Sequence, residues 1–270
     1  MKLNKKAHNI FADEFIKLHR DKEILLLPYV WNVASARIFE KSGFRAVGTK
    51  SAYFETSPGY SEEQIANKPV DFKEIKKIIE NTNLLVCVDI ESGNQQGVDC
   101  VVEAASAVLE AGGVGINLKD EISNEEKSFI EIYDMVQKIN AIRKMTEKEG
   151  IHLLINICIH FLNNDREKIS EKIRYTVERA KIYVESGADC ITIPIMDDSN
   201  EQIITNLIKR INAPVRIITG GNIPSVNKLE EIGVACLSFP AKLYEGKLRQ
   251  LAKMSKELEQ IDSMPVQNHN

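Results

Sequence analysis

Residues 185–194 read ESGADCITIP: the end of a helix-period stretch, a glycine, and at once a run of β-branched and apolar residues. Glycine tolerates the left-handed conformation that stops a helix, so the chain can turn straight into a strand. The same device recurs in KSGFRAV (41–47), EAGGVGI (110–116) and EIGVACL (231–237). One junction used four times points to a chain built from repeated strand and helix units.

Working outward, eight short β-rich runs follow one another: ILLLPY (24–29), RAVGT (45–49), LLVCVDI (84–90), VGINL (114–118), HLLINICI (152–159), DCITIP (189–194), VRIIT (215–219) and ACLSF (235–239). Helix-period segments lie between them, among them VASARIFEKS (33–42), DFKEIKKIIENT (71–82), EKSFIEIYDMVQKINAIRKMTEKE (126–149) and ISEKIRYTVERAKIYVES (169–186). Eight strands alternating with helices predict a (β/α)8 TIM barrel. The alternative, a doubly wound open sheet, lacks a GxGxxG after the first strand. An extra helix over 10–20 precedes the barrel and a charged helix over 241–260 closes it. No linker divides the chain, which predicts a single domain over 1–262 and a polar tail, SMPVQNHN, over 263–270.

With 270 residues and 43% hydrophobic content, the chain has ample core for one large domain. Its net charge of −4, with acidic and basic residues interleaved, leaves no footprint for nucleic acid or an anionic membrane. No apolar run reaches the length of a bilayer span, and the expected location is cytoplasmic. Five cysteines without a CxxC pair fit reduced, mostly buried thiols better than disulfides or a zinc site.

In a parallel barrel the chemistry sits where the strands end. Here the ends are polar: Trp31 and Asn32, Lys50 and Ser51, Asp89 and Glu91, Asn117 and Lys119, Asn156, Cys158 and His160. Asp89 and Glu91 are two residues apart and face the same way, so a cation or donors must offset their repulsion. They can simply cap a loop and pair with Lys119. Cys158 and His160 also share a face, either as pocket lining or as a thiol and imidazole pair, which ordinarily needs a third group to orient the ring.

The ordered set LLLPYVWNVASARIFEKSGFRAVGTKSA (25–52), VDIESG (88–93), GVGINLKD (113–120), RYTVERAKIYVESGADCITIP (174–194) and IPSVNKLEEIGVACLS (223–238) resembles the isocitrate lyase and phosphoenolpyruvate mutase superfamily, over roughly residues 10 to 250. The resemblance implies a (β/α)8 barrel assembled as a homodimer or homotetramer. It implies Mg2+ and a small α-oxo or α-hydroxy carboxylate substrate, with a C–C or C–P bond made or broken through an enolate. Carried over, Asp89 and Glu91 fall on the paired metal-site acids, and Glu62 on a further acid facing the metal's water shell. Ser51 and Ala52 fall on the loop that receives the substrate's anionic end, with Lys50 beside it.

The departures are specific. Lys119 in GINLKD stands where relatives carry a metal-site glutamate, and Cys158 and His160 in INICIH stand where relatives carry an arginine and an acid. The lysine-rich, cysteine-bearing loop of the isocitrate and methylisocitrate lyases is absent. The resulting expectation is a lyase-like or phosphonomutase-like enzyme with an altered metal site. Lys119, Asp89 and His160 would do its chemistry, while Lys50, Ser51, Ala52, Trp31, Asn156 and Cys158 would hold its substrate. The alternative is a catalytically silent or repurposed barrel that binds a small carboxylate or a protein partner without Mg2+.

Overall fold

The computed structural model describes residues 4–50, 72–90, 97–121, 129–160, 168–195, 201–219, 223–239, 246, 249–251 and 253–257. Strands β1 (Leu25–Val30), β2 (Ala46–Lys50), β3 (Leu85–Asp89), β4 (Gly115–Lys119), β5 (Leu154–Cys158), β6 (Cys190–Ile195), β7 (Val215–Thr219) and β8 (Cys236–Phe239) form a closed barrel in sequence order. All neighbouring pairs are parallel, and β1 closes on β8 from Leu25 against Cys236 to Pro28 against Phe239. Closure sets the open doubly wound sheet aside.

Helices α1 (Lys5–Leu18), α2 (Val33–Lys41), α3 (Phe72–Glu80), α4 (Val98–Ala111), α5 (Ile132–Glu149), α6 (Ile169–Glu185), α7 (Glu201–Arg210) and α8 (Val226–Ile232) accompany the strands. The glycines at the four repeated junctions, Gly43, Gly112, Gly187 and Gly233, all take positive φ, between 87° and 111°. Two helix starts differ from the expectation by five residues or more. α1 starts at Lys5 because the Asn4 side chain caps it, accepting from the Ala7 N–H. α5 starts at Ile132, and the Ile130 carbonyl, outside the helix, accepts from Arg179 instead. Of the closing charged helix, residues 246, 249–251 and 253–257 are described and helical.

Alternation along each strand separates two cores. Val86, Val88, Ile116, Ile155, Ile157, Ile191, Ile193 and Ile217 face outward into the layer beneath the helices. Leu25, Leu27, Tyr29, Leu85, Cys87, Leu154, Cys190 and Cys236 face inward and pack with Ala12, Phe15 and Leu18 of α1. α1 therefore stoppers the amino-terminal end of the barrel. Gly115 admits this stopper, since a Cβ there would lie 2.8 Å from the Phe15 ring. At the rim, His8 Nε2 lies 3.0 Å from the His152 carbonyl oxygen, and Asn9 bonds the backbone of Gly150 and His152.

None of the five cysteines is paired; Cys100 is exposed and the other four are buried. No helix among the described residues is long and apolar enough to cross a membrane.

Candidate active site at the carboxyl ends of the strands

The inward positions change character along the barrel axis. Leucines, an alanine and α1 fill the amino-terminal end, whereas Tyr29, Asp89, Asn117, Lys119, Asn156, Cys158 and Thr192 fill the carboxyl end. Asp89 sits opposite Lys50 in the β2–β3 register and opposite Asn117 in the β3–β4 register. Lys119 is two residues past Asn117 on the same face and lies opposite Cys158.

A continuous hydrogen-bonded layer crosses the barrel beneath this mouth. Tyr29 Oη donates to Asp89 Oδ1 at 2.9 Å, and Asn117 Nδ2 donates to the same oxygen. Asn117 Oδ1 accepts from Asn156 Nδ2 at 2.8 Å, from Arg216 Nη1 at 2.9 Å and from the Cys87 thiol at 3.4 Å. Thr192 Oγ1 in turn donates to Asn156 Oδ1 at 2.9 Å. Burial, then the Asp89 carboxylate, hold the Tyr29 phenol well above its ordinary pKa, so it remains a donor. Gly48 on β2 makes room for that phenol, because a Cβ there would lie 2.5 Å from the Tyr29 ring.

Arg216, from β7, is 1% exposed and occupies the barrel axis between this layer and α1. Its Nη2 lies 3.1 Å from His19 Nε2. A guanidinium only donates, so His19 Nε2 must be the acceptor, and Nδ1–H donates to the Phe15 carbonyl at 2.9 Å. Burial, reinforced by the Arg216 charge, drops the His19 pKa to about 3. Cys87 and Cys236 are pushed up to about 11 and Cys190 to about 12, chiefly by burial, so neutral thiols surround the guanidinium. The Arg216 Nε–H is buried without a partner among the described residues.

The sequence missed Arg216. Its signal was an arginine two positions from Ile218 in the five-residue strand VRIIT, where alternation turns both toward the barrel axis. A buried cation thus lies below the Asp89 carboxylate, relayed to it through the Asn117 amide. Asp120, next to Lys119, belongs to the scaffold. It is fully buried and accepts from Arg179 at 2.6 and 2.9 Å and from Tyr183 at 3.0 Å.

Two candidate residues, Cys158 and His160, meet a third that sequence reading did not single out, Glu121, on the other side of the mouth. Cys158 Sγ lies 3.8 Å from His160 Nε2, and His160 Nδ1 lies 3.5 Å from Glu121 Oε2. Burial pushes the Cys158 thiol strongly up, against a smaller opposing pull from Lys119. Trp31 follows β1 and is half-buried; its backbone N–H donates to Ser35 Oγ at the start of α2. Ser51, Ala52, Glu62 and Glu91 lie outside the described residues, as does the Lys50 side chain.

Mg2+ requires several oxygen ligands in near-octahedral array. Among the described residues no group of three or more His, Cys, Asp or Glu is arranged to hold a metal ion. Asp89 Oδ1 already takes two donors and Asn117 Oδ1 three, and Lys119 occupies the next inward position of β4. Of the three acids on which the resemblance places the metal, Asp89 alone is among the described residues, and it does not make a cation site by itself.

The chain matches the phosphoenolpyruvate phosphomutase family over residues 15–259. It is 26% identical to an uncharacterised protein of Mycobacterium tuberculosis over 251 residues, covering 93% of this chain and 91% of that one. It is 25% identical to the 2-methylisocitrate lyase of Halalkalibacterium halodurans over 265 residues, covering 92% of this chain and 84% of the lyase. A solved structure from Burkholderia cenocepacia J2315, provisionally assigned as a phosphonomutase, superposes with a TM-score of 0.83 at 25% identity, over 93% of this chain and 99% of that one. With the family matched across nine-tenths of the chain and the closed eight-stranded barrel in place, the chain belongs to the phosphoenolpyruvate phosphomutase family.

Proposed function

We propose that the protein is a lyase or mutase acting on a small α-oxo or α-hydroxy carboxylate, with a metal site altered by Lys119. The observation that carries this reading is the polar carboxyl end of the barrel above a buried guanidinium. Cleaving a C–C or C–P bond beside a carboxylate leaves an enolate, and preorganised positive charge and donors favour that charge in a water-poor site. Lys119 and, through Asn117, Arg216 supply positive potential here. Family membership and the methylisocitrate lyase relative support the substrate class.

In this reading Lys119 stands in for part of the cation's charge, Asp89 and Glu91 orient a polar group of the substrate, and Lys50, Ser51 and Ala52 receive its anionic end. The protein acts as a homo-oligomer. The test is a panel of 2-oxo and 2-hydroxy di- and tricarboxylates and phosphonates, followed by NMR with either Mg2+ or a chelator present. Turnover of at least one small carboxylate, lost on Lys119→Met, is expected. No turnover with any compound, together with no ligand-induced rise in melting temperature, points instead to a silent or repurposed barrel.

Calorimetry tests the altered metal site separately. Mg2+ should bind the wild type at least tenfold more weakly than it binds Lys119→Glu. Equal, tight binding by both proteins sinks that part of the reading.

A further inference from the structure

The Cys158, His160 and Glu121 side chains stand in one row at the barrel mouth. Sulfur lies 3.8 Å from one ring nitrogen, and the other nitrogen lies 3.5 Å from the carboxylate. The order is thiol, imidazole, acid, which is the arrangement that orients a ring for proton transfer. The 3.5 Å separation is longer than a formed hydrogen bond, as is common in ligand-free sites whose contacts tighten on binding. The three residues come from separate positions: Cys158 ends β5, His160 lies two residues on, and Glu121 lies two residues past the end of β4. Cys158 is almost wholly buried, whereas the side chains of His160 and Glu121 are 19% and 25% exposed. The row therefore leads from the interior toward solvent.

The charge pattern fixes how the row is protonated. Among the charged groups acting on Cys158, Lys119 and Arg216 favour the thiolate while Asp89 and Glu121 oppose it, and burial, the largest influence, keeps the sulfur protonated. A protonated thiol facing Nε2 leaves the ring proton on Nδ1, the nitrogen 3.5 Å from Glu121 Oε2.

We infer that Cys158 is a proton donor to carbon, with His160 returning protons from solvent to its sulfur and Glu121 positioning the ring. This inference rests on the reading under Proposed function, because the carbon acid is the enolate of a small oxo acid. In the step, the S–H bond breaks, its electron pair stays on sulfur, and a C–H bond forms at the enolate carbon. A solvent proton taken up at His160 Nε2, with the imidazolium held by Glu121, then passes to sulfur and restores the thiol. The net change is one solvent proton added to carbon, with no redox partner.

Two measurements on the full chain test this, with circular dichroism and thermal melting confirming that each variant folds. The first is alkylation by iodoacetamide, followed residue by residue by mass spectrometry from pH 5 to 10, with exposed Cys100 as internal control. The wild-type Cys158 profile should carry an inflection at the imidazole titration. His160→Gln should remove it and slow Cys158 about tenfold at pH 7, Glu121→Gln should displace it, and Cys100 should be unchanged. A Cys158 profile indifferent to both substitutions, or a Cys158 that never reacts in the folded protein, overturns the relay.

The second measurement is exchange of the methyl protons of pyruvate in deuterated buffer, read by NMR. The wild type should catalyse it, and Cys158→Ser and His160→Gln should each lose at least tenfold. Exchange at the wild-type rate by Cys158→Ala overturns the donor role. Intact thiol coupling with no wild-type exchange overturns the oxo-acid reading, and the carbon-acid role with it.

Discussion

Arg216 Nη1 lies 2.9 Å from Asn117 Oδ1, and the amide nitrogen of the same Asn117 donates to Asp89. One buried amide thus joins a cation and a carboxylate that do not touch. Because the guanidinium only donates, it fixes which end of the amide faces it and so aims the N–H at the carboxylate.

Removing the cation should therefore loosen the layer that holds the carboxylate. Arg216→Met takes the charged donor from Asn117 Oδ1 and should cost roughly 2–4 kcal/mol of unfolding free energy. Asp89→Asn in the same chain should recover part of that loss. Urea denaturation of the two single variants and the double variant gives the coupling, and strict additivity would show that the relay carries no energy.

Stability should fall in acid through His19. Its folded-state pKa is depressed to about 3 from an ordinary 6.5, so between those values the unfolded chain binds more protons than the folded one. Stability present above pH 6.5 is then lost as the pH falls toward 3, with a limiting slope of about 1.4 kcal/mol per pH unit from this one group. His8, lowered chiefly by burial, acts in the same direction. His19→Gln keeps a donor and an acceptor but does not titrate, so its unfolding free energy should vary less over this window than that of the wild type.

The Asp120 cluster ties β4 to α6. Arg179→Met strands a fully buried carboxylate and should destabilise by roughly 3–5 kcal/mol. Adding Asp120→Asn should return a substantial share. Equal melting temperatures for wild type and Arg179→Met would contradict the burial.

Gly48→Ala should displace the Tyr29 ring, since the new Cβ would meet it at 2.5 Å. Overpacking of this kind typically costs about 1–3 kcal/mol. Pairing the change with Tyr29→Leu, which frees the space, should make the double variant more stable than the sum of the single effects, as read by urea denaturation.

The fold was largely legible. All eight strands lie within two residues of the β-rich runs, because inward and outward alternation and the glycine stops are local signals. What escaped was non-local. The Asn4 cap lies outside any apolar period, and the late start of α5 accompanies an Arg179 bond to the Ile130 carbonyl, 49 residues away. At the site, Asp89, Asn117, Lys119, Asn156, Cys158 and His160 were read from strand ends. Arg216 sits in mid-strand, and Glu121 sits beyond a strand where period gives no direction. The Asp89 charge had pointed to Lys119, and the structure adds Arg216, relayed to it through Asn117 by a contact spanning 99 residues.

The contact between His19 and Arg216 joins residues 197 apart. On a ribosome, α1 emerges well before β7 and must wait for most of the barrel before Arg216 exists to receive it. Until then Phe15, Leu18 and the inner faces of β1 and β3 have no finished interior to enter. Long-range closure of this kind slows folding and prolongs exposure of apolar surface. The stopper helix, made before the strands it plugs, docks only once they have closed, so the nascent barrel depends on holding an open end without aggregating.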